Sequence, residues 1–400
     1  MSGLATLAAV SMVTGLAVSV GSSPVVEPST PAPLAAPPSR TEQRVAALTV
    51  RELVHQLIVI PVAGRSAHRV SPGEAAFNVA AYGVRTPARV VARFRPGGVI
   101  YFGDNVRSVG QVRRLSNGLQ QAARRTGQPL LIMTDQEGGR VSRLPGPATG
   151  SQPAARDYAG HVRRARRDAR DVGRAMQSMG VDVDLAPVAD VNTVGDAGVI
   201  GDRSFGSSGR LVGRMVRAQV CGYHAGGVAT ALKHWPGHGS TRVDSHASLP
   251  TLRLAIETWR REHVRPFRAG IRTGTDMVMV GHLAYPKLDP NGRPATLSRR
   301  LNQGWLRDVL GFRGVIITDS LSMGALVDRG SSGHIAVRAF RAGSDLLLMP
   351  ASPRAAVAGL RDAVRERVVT RADIERSVTR IMRLKDKLGL IRGPASLRGC

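Results

Sequence analysis

The sequence predicts a single-domain (β/α)8 TIM-type barrel, and two observations predict it. Eight short, nearly continuously apolar runs recur at residues 57–62, 98–102, 129–135, 183–190, 229–235, 276–282, 315–319 and 345–349. Unbroken apolarity of this kind marks parallel strands buried on both faces. Longer amphipathic stretches, such as 106–125 and 253–272, separate the runs, and eight β/α alternations in about 350 residues suit a closed barrel. A doubly wound open sheet has the same local pattern and is the competing arrangement.

Along the chain, residues 4–20 carry no charge and resemble the apolar region of a signal peptide; the run is too short for a comfortable membrane span. A leader over 1–21 is therefore expected, and with it export, with a cytoplasmic location as the alternative. Residues 22–44, rich in Pro, Ser and Ala, read as an extended linker. The barrel is expected over 45–392 and a flexible tail over 393–400. Within the barrel, residues 161–174 hold six Arg and two Asp and read as a solvated helix face. The last helix is expected to start at Thr370, with Asp373 completing its cap. Its apolar face is Ile374, Val378, Ile381 and Leu388.

The 42% apolar content excludes wholesale disorder. The charge is unusual: 56 basic minus 29 acidic residues gives +27. Lysine occurs only at 233, 287, 385 and 387, so 56 − 4 = 52 of the cations are arginine. A bias this general resembles GC-rich coding more than a dedicated polyanion site. With 4% aromatics there is little to stack on bases, and no specific nucleic-acid partner is expected. Electrostatic association with an anionic cell wall is compatible with the charge. Cys221 and Cys400 offer no disulfide framework and no zinc spacing, and Cys400 is expected to be mobile.

In a barrel, chemistry gathers where strands end. The third run is followed by Asp135, Glu137, Arg140 and Arg143, the fourth by Asp190, Asn192 and the loop 200–205. The fifth ends in Lys233-His234, the sixth at His282 and the seventh at Asp319. Polar groups closing apolar strands are costly in a core, so their repetition along one edge points to a pocket. The densest segment is ALKHWPGHGSTRVDSHASLP, residues 231–250. His234, His238, Asp244 and His246 are one metal-ligand reading, although a Gly/Pro-rich loop lacks the helical spacing that fixes paired histidines. A phosphate-cradling turn over 237–241 and a purely structural loop are two more. The favoured reading is acid/base chemistry, with Asp244 orienting His246. Asp319 is a candidate nucleophile or an N-cap.

At these residues the sequence resembles glycoside hydrolase family 3, in its β-N-acetylglucosaminidase branch, from about residue 48 to 390. Four stretches carry the likeness: Asp135-Gln-Glu-Gly-Gly-Arg-Val141 with Arg143; Gly201-Asp-Arg-Ser-Phe205; Lys233-His-Trp-Pro-Gly-His-Gly239 followed by Asp244-Ser-His246; and Thr318-Asp-Ser-Leu-Ser-Met323. The resemblance implies a (β/α)8 barrel that removes terminal β-linked GlcNAc from cell-wall-derived glycosides with retention, without metal or cofactor. Asp135, Arg143, Arg203, Lys233 and His234 would bind the sugar. Asp319 would be the nucleophile, and His246 held by Asp244 the acid/base.

Two positions depart from the pattern: Trp235 stands where Phe is usual, and Ser320 where a second Asp often follows the nucleophile. Retaining glycosidases ordinarily use two carboxyl groups about 5–5.5 Å apart. An imidazole in place of one repels an anionic acceptor less, so phosphorolysis stands beside hydrolysis. A β-glucosidase and a wall-glycan-binding protein are further alternatives.

Overall fold

The computed structural model describes residues 39–391, 393, 395–397 and 400. The leader expected over 1–21 and the linker over 22–38 lie outside the described residues. The linker does not extend to 44, because a helix runs over Arg40–Ala46. Ser39 and Glu42 cap it reciprocally, the Ser39 amide donating to Glu42 at 2.7 Å. That capping box supplies partners for first-turn amides and steadies so short a helix.

The eight strands are β1 (Ile58–Pro61), β2 (Gly98–Tyr101), β3 (Leu131–Thr134), β4 (Val183–Asp184), β5 (Ala229–Trp235), β6 (Met277–Val280), β7 (Val315–Thr318) and β8 (Leu347–Leu348). All are parallel, in the order β7-β6-β5-β4-β3-β2-β1-β8. Ile58 pairs with Leu347 between β1 and β8. A bridge between Ile317 and Leu346, with the Thr318 amide donating to the Leu346 carbonyl at 3.0 Å, brings β7 against β8 and closes the ring. The open-sheet alternative is thereby excluded.

Helices between the strands follow the apolar period. Val109–Arg125 buries Val112, Leu115, Leu119 and Ala122. Val162–Ser178 buries Ala165, Ala169, Val172 and Met176, so its arginines line the solvated face, where Arg164 and Arg167 pair with Asp168. The segment expected to be one helix over 253–272 is instead Ile256–Thr258, a wider π turn over Trp259–His263, and Val264–Arg272. Pro266 lies just beyond the π turn and has no N–H to return to residue 262, so the regular ladder is interrupted there. The final helix, Arg371–Lys387, starts from Thr370, whose hydroxyl and amide both donate to Asp373.

The two rims of the barrel differ. At the N-terminal rim, buried acids bind strand starts and neighbouring helices. Asp276 accepts from Thr230 N at 3.0 Å and from His224 Nε2 at 2.7 Å. Asp345 accepts from Ile316 N at 2.9 Å, Arg307 at 2.5 Å and Arg380 at 2.9 Å. Both are fastened on every side, leaving the C-terminal rim as the place for chemistry.

Trp235 is fully buried, its ring in edge contact with Trp259 and Phe267 at centroid distances of 5.7 and 5.2 Å. Its N–H donates to the Leu301 carbonyl, so the extra bulk relative to Phe is taken up in the outer core.

The expectation for the cysteines is overturned. Cys221, near the end of helix Gly209–Ala225, is disulfide-bonded to Cys400, with Cα atoms 5.2 Å apart. Arg166 donates to the Cys400 carbonyl at 2.9 Å and Ser396 N to the Lys387 carbonyl at 2.8 Å, so the tail residues described are tied down rather than free. The barrel brings together two cysteines 179 residues apart, a separation that leaves no spacing signal in the sequence. Cys221→Ser is expected to lower stability by about 2–4 kcal/mol, read as a lower urea midpoint that reduction of the unmodified protein reproduces.

Candidate active site

The loop after β3 is organised by Gln136. Its main-chain amide donates to Asp184 at 2.9 Å, and its side-chain oxygen accepts from the amides of Arg143 and Leu144, each at 3.0 Å. Gly138 then turns the chain at φ +89°, where a Cβ would lie 2.2 Å from the Pro153 carbonyl; only glycine fits this approach. Asp135 and Glu137 are thereby presented on either side of Lys233.

Lys233, 2% exposed, reaches in from β5 and donates to Asp135 at 2.6 Å and to Glu137 at 2.7 Å. Arg203, from the loop after β4, grips Glu137 with two hydrogen bonds of 2.7 and 2.8 Å. Burial alone would raise the Glu137 carboxyl, but Arg203 and Lys233 outweigh it and hold Glu137 well below the carboxylate range. Burial would likewise strip the proton from Lys233, and Asp135 and Glu137 prevent it. The result is two fixed cations interleaved with two fixed anions, a surface suited to the hydroxyls of a neutral sugar.

His234 is held from below. Its Nδ1–H donates to Asp190 at 2.6 Å, and its Nε2 faces the Arg203 guanidinium at 3.4 Å. Asp190 thus sets the tautomer.

Beyond β5, the loop carrying Asp244 and His246 is anchored at two points. The His238 amide donates to Asp190 at 2.6 Å, while its Nε2 meets the Ser245 hydroxyl at 2.9 Å. Asp244 accepts from both the amide and Nδ1 of His246, at 2.9 and 2.8 Å. The His246 side chain is 71% exposed and that of Asp244 48%, so Nε2 is free to exchange protons.

The same loop docks on the segment after β7. Gly324 N donates to the His246 carbonyl at 2.9 Å and Ala325 N to the Ser245 carbonyl at 3.3 Å. A Cβ on Gly324 would stand 2.6 Å from the carbonyl oxygens of both His246 and Ala247.

Asp319 leaves β7 five residues earlier. One carboxylate oxygen accepts from Ser320 N at 2.8 Å. The Ser320 peptide is fixed in turn by His282, whose Nε2 donates to the Ser320 carbonyl at 2.8 Å; its Nδ1 accepts from the Thr296 hydroxyl at 2.6 Å. Burial would raise the Asp319 carboxyl, but His234, His282, the Ser320 amide and Lys233 together lower it, keeping it ionised and nucleophilic. Ser320 turns its hydroxyl to Ser322 at 2.9 Å.

The structure therefore joins Asp135, Arg203, Lys233 and His234 in one cluster, and joins Asp244 to His246. Arg143 stands apart: its guanidinium makes no hydrogen bond to another described residue, and its Nε is buried. Glu137 and Asp190, which the sequence shows only as polar residues at strand ends, hold this cluster together: Glu137 binds both Lys233 and Arg203, and Asp190 binds His234 and the His238 amide. Among the described residues no group of three or more His, Cys, Asp or Glu is arranged to hold a metal ion. In the turn over 237–241 the Gly237 amide is already used, donating to the His234 carbonyl at 2.7 Å. The His238 amide is engaged by Asp190, and the Gly237 and Gly239 carbonyls accept from Tyr285 and Thr193.

Burial holds His55 and His238 down to about 4 and lowers His263 and His282. The unfolded chain takes up these protons near pH 6.5 and the folded one only lower, so between about pH 6.5 and 4 the unfolded state binds more protons. Asp182 and Asp184, whose carboxyls burial raises, take up protons in the folded state over the same window and work in the opposite sense. The four histidines outnumber them, so stability is expected to fall as pH drops, visible as a declining urea midpoint from pH 7 to 4.5.

Fold and site put the chain in the class of (β/α)8 proteins whose chemistry sits at the C-terminal strand ends. The chain belongs to glycosyl hydrolase family 3, whose N terminal domain matches residues 49–384. It is 34% identical over 334 residues to a "Beta-hexosaminidase A" of Pseudoalteromonas piscicida, covering 75% of this chain and 55% of that protein. To a "Beta-hexosaminidase" of Xanthomonas oryzae it is 36% identical, covering 63% and 75%.

Among solved structures, it resembles a family 3 β-N-acetylglucosaminidase from Paenibacillus at 36% identity and a TM-score of 0.79, covering 87% of this chain and 64% of that one. It also resembles LpqI of M tuberculosis at 30% identity and a TM-score of 0.74, covering 90% and 98%. The chain thus spans little more than half of the Pseudoalteromonas protein and under two thirds of the Paenibacillus one.

Proposed function

We propose that this chain is a retaining exo-β-N-acetylglucosaminidase that hydrolyses terminal β-linked GlcNAc. The observation that carries the reading is the docking of the Asp244–His246 loop on the segment that follows Asp319, which unites a proton donor and a half-buried anion at one rim. Asp319 attacks the anomeric carbon as the glycosidic C–O bond breaks, and His246, protonated on both nitrogens and held by Asp244, gives its Nε2 proton to the leaving oxygen. Neutral His246 then takes a proton from water, which attacks the same carbon and releases Asp319, so two inversions give net retention. Asp135, Arg143, Arg203, Lys233 and His234 bind the sugar. The β-hexosaminidase names of the relatives support the N-acetylhexosamine preference.

The test is turnover of a chromogenic β-GlcNAc against the matching β-glucoside, with and without phosphate. Release of free GlcNAc, with the glucoside poor, is expected. GlcNAc-1-phosphate accumulating instead would make phosphate the acceptor. His246→Ala should lose most on glycosides with poor leaving groups, which need protonation; equal losses on activated and unactivated glycosides would remove its acid role.

The natural substrates we propose are cell-wall fragments or chitooligosaccharides met outside the cytoplasm. The apolar leader-like segment supports export, and so does the Cys221–Cys400 bond, since disulfides persist in oxidising compartments. The +27 charge favours residence near an anionic wall, and release from a wall fraction at raised salt is the corresponding sign.

A further inference from the structure

Asp190 touches neither the Asp319 carboxylate nor the Asp244–His246 pair, yet three parts of the site hang from it. It is fully buried at the end of the run after β4. Its Oδ1 accepts from the His238 amide at 2.6 Å and from the His234 amide at 3.2 Å. Its Oδ2 accepts from His234 Nδ1 at 2.6 Å and from the same amide at 3.2 Å. Its main-chain carbonyl accepts from the Ser204 hydroxyl at 2.7 Å, next to Arg203. From His238 the chain of contacts continues through Nε2 to the Ser245 hydroxyl, and Ser245, 2% exposed, is the buried residue between the two exposed members of the acid/base pair.

We propose that Asp190 is a positioning residue that couples sugar binding to proton transfer. One arm fixes His234 against Arg203, and the other runs through His238 and Ser245 to seat the loop that carries Asp244 and His246. This rests on the glycosidase reading of the site.

The chemistry demands a carboxylate. Every group facing it is a donor, and only an ionised carboxyl offers acceptors to all of them. Burial would raise the Asp190 carboxyl, yet His234 and the His238 amide more than reverse that. Asparagine has the same shape but one acceptor oxygen. If its NH2 faces His234, the imidazole must give up its Nδ1 proton and carry it on Nε2, pointing at the Arg203 guanidinium. If the NH2 faces the His238 amide, two donors meet at 2.6 Å and the loop arm is released. Each orientation breaks one arm.

The experiment measures kcat/KM of the full chain, corrected for folded fraction by thermal melting, for one activated and one unactivated β-GlcNAc glycoside. Asp190→Asn is expected to lose about 10- to 100-fold. Ser245→Ala cuts the loop arm alone. It should keep kcat/KM on the activated glycoside within about twofold and lose about tenfold on the unactivated one, because only the latter needs the proton. Asp190→Glu, which keeps the charge, should recover part of the loss. Unchanged kcat/KM in Asp190→Asn, or equal effects of Ser245→Ala on both glycosides, overturns the coupling. If the unmodified chain turns over neither glycoside, it is the glycosidase reading that fails.

Discussion

Asp319→Ala is expected to lower turnover of β-GlcNAc glycosides by on the order of 10⁴-fold or more, the scale seen when a covalent nucleophile is removed. The fold should survive. Among the described residues the Asp319 carboxylate accepts only the amide of its neighbour Ser320, and the main chain of Asp319 remains held by its amide donating to the Val280 carbonyl at 2.9 Å. Few stabilising contacts are lost, and one half-buried anion is removed. Melting should therefore change little while kcat/KM collapses, and this divergence separates a nucleophile from a structural cap. The cavity left by the carboxylate admits a small external anion. With an activated glycoside, azide should restore turnover and yield the α-glycosyl azide by a single inversion. Wild-type-like activity in Asp319→Ala would remove the assignment.

Parts of this site can be read from the chain and parts cannot, for reasons that specific residues make plain. Lys233, His234, Asp244 and His246 lie within 14 consecutive positions, and Asp319 ends an apolar run. Position along a strand carries much of the meaning. Asp276 and Asp345 also bound apolar runs, but at their starts, and both are bound into the N-terminal rim. Asp319 at an end faces the pocket.

What the chain does not reveal is pairing across strands. Glu137 and Asp190 stand out only as polar residues after β3 and β4. That one is shared by Lys233 and Arg203, and the other by His234 and His238, follows from the ring placing the ends of β3, β4 and β5 side by side. The Cys221–Cys400 bond is illegible for the same reason. It records which helix the returning chain end meets, and no local pattern encodes that.

The ionic quartet around buried Lys233 and Glu137 gives the other large effect. Lys233→Met is expected to destabilise the protein by about 3–5 kcal/mol, because removing one member of a buried ionic cluster leaves its partners uncompensated. Glu137 keeps its two bonds from Arg203, but Asp135 loses the only cation bound to it among the described residues. Lys233→Arg should not rescue this. A planar guanidinium needs more room than a compact ammonium, and the slot leaves Lys233 2% exposed between two carboxylates at 2.6 and 2.7 Å.

The decisive measurement is the double variant. Glu137→Gln removes one of the two anions that face Lys233, so Lys233→Met/Glu137→Gln should unfold at a higher urea concentration than the sum of the two single losses implies. Contacting ionic partners couple by roughly 0.5–3 kcal/mol. Strict additivity would mean that the ammonium stabilises by packing its stem, and that the sugar-binding surface is not held together by charge.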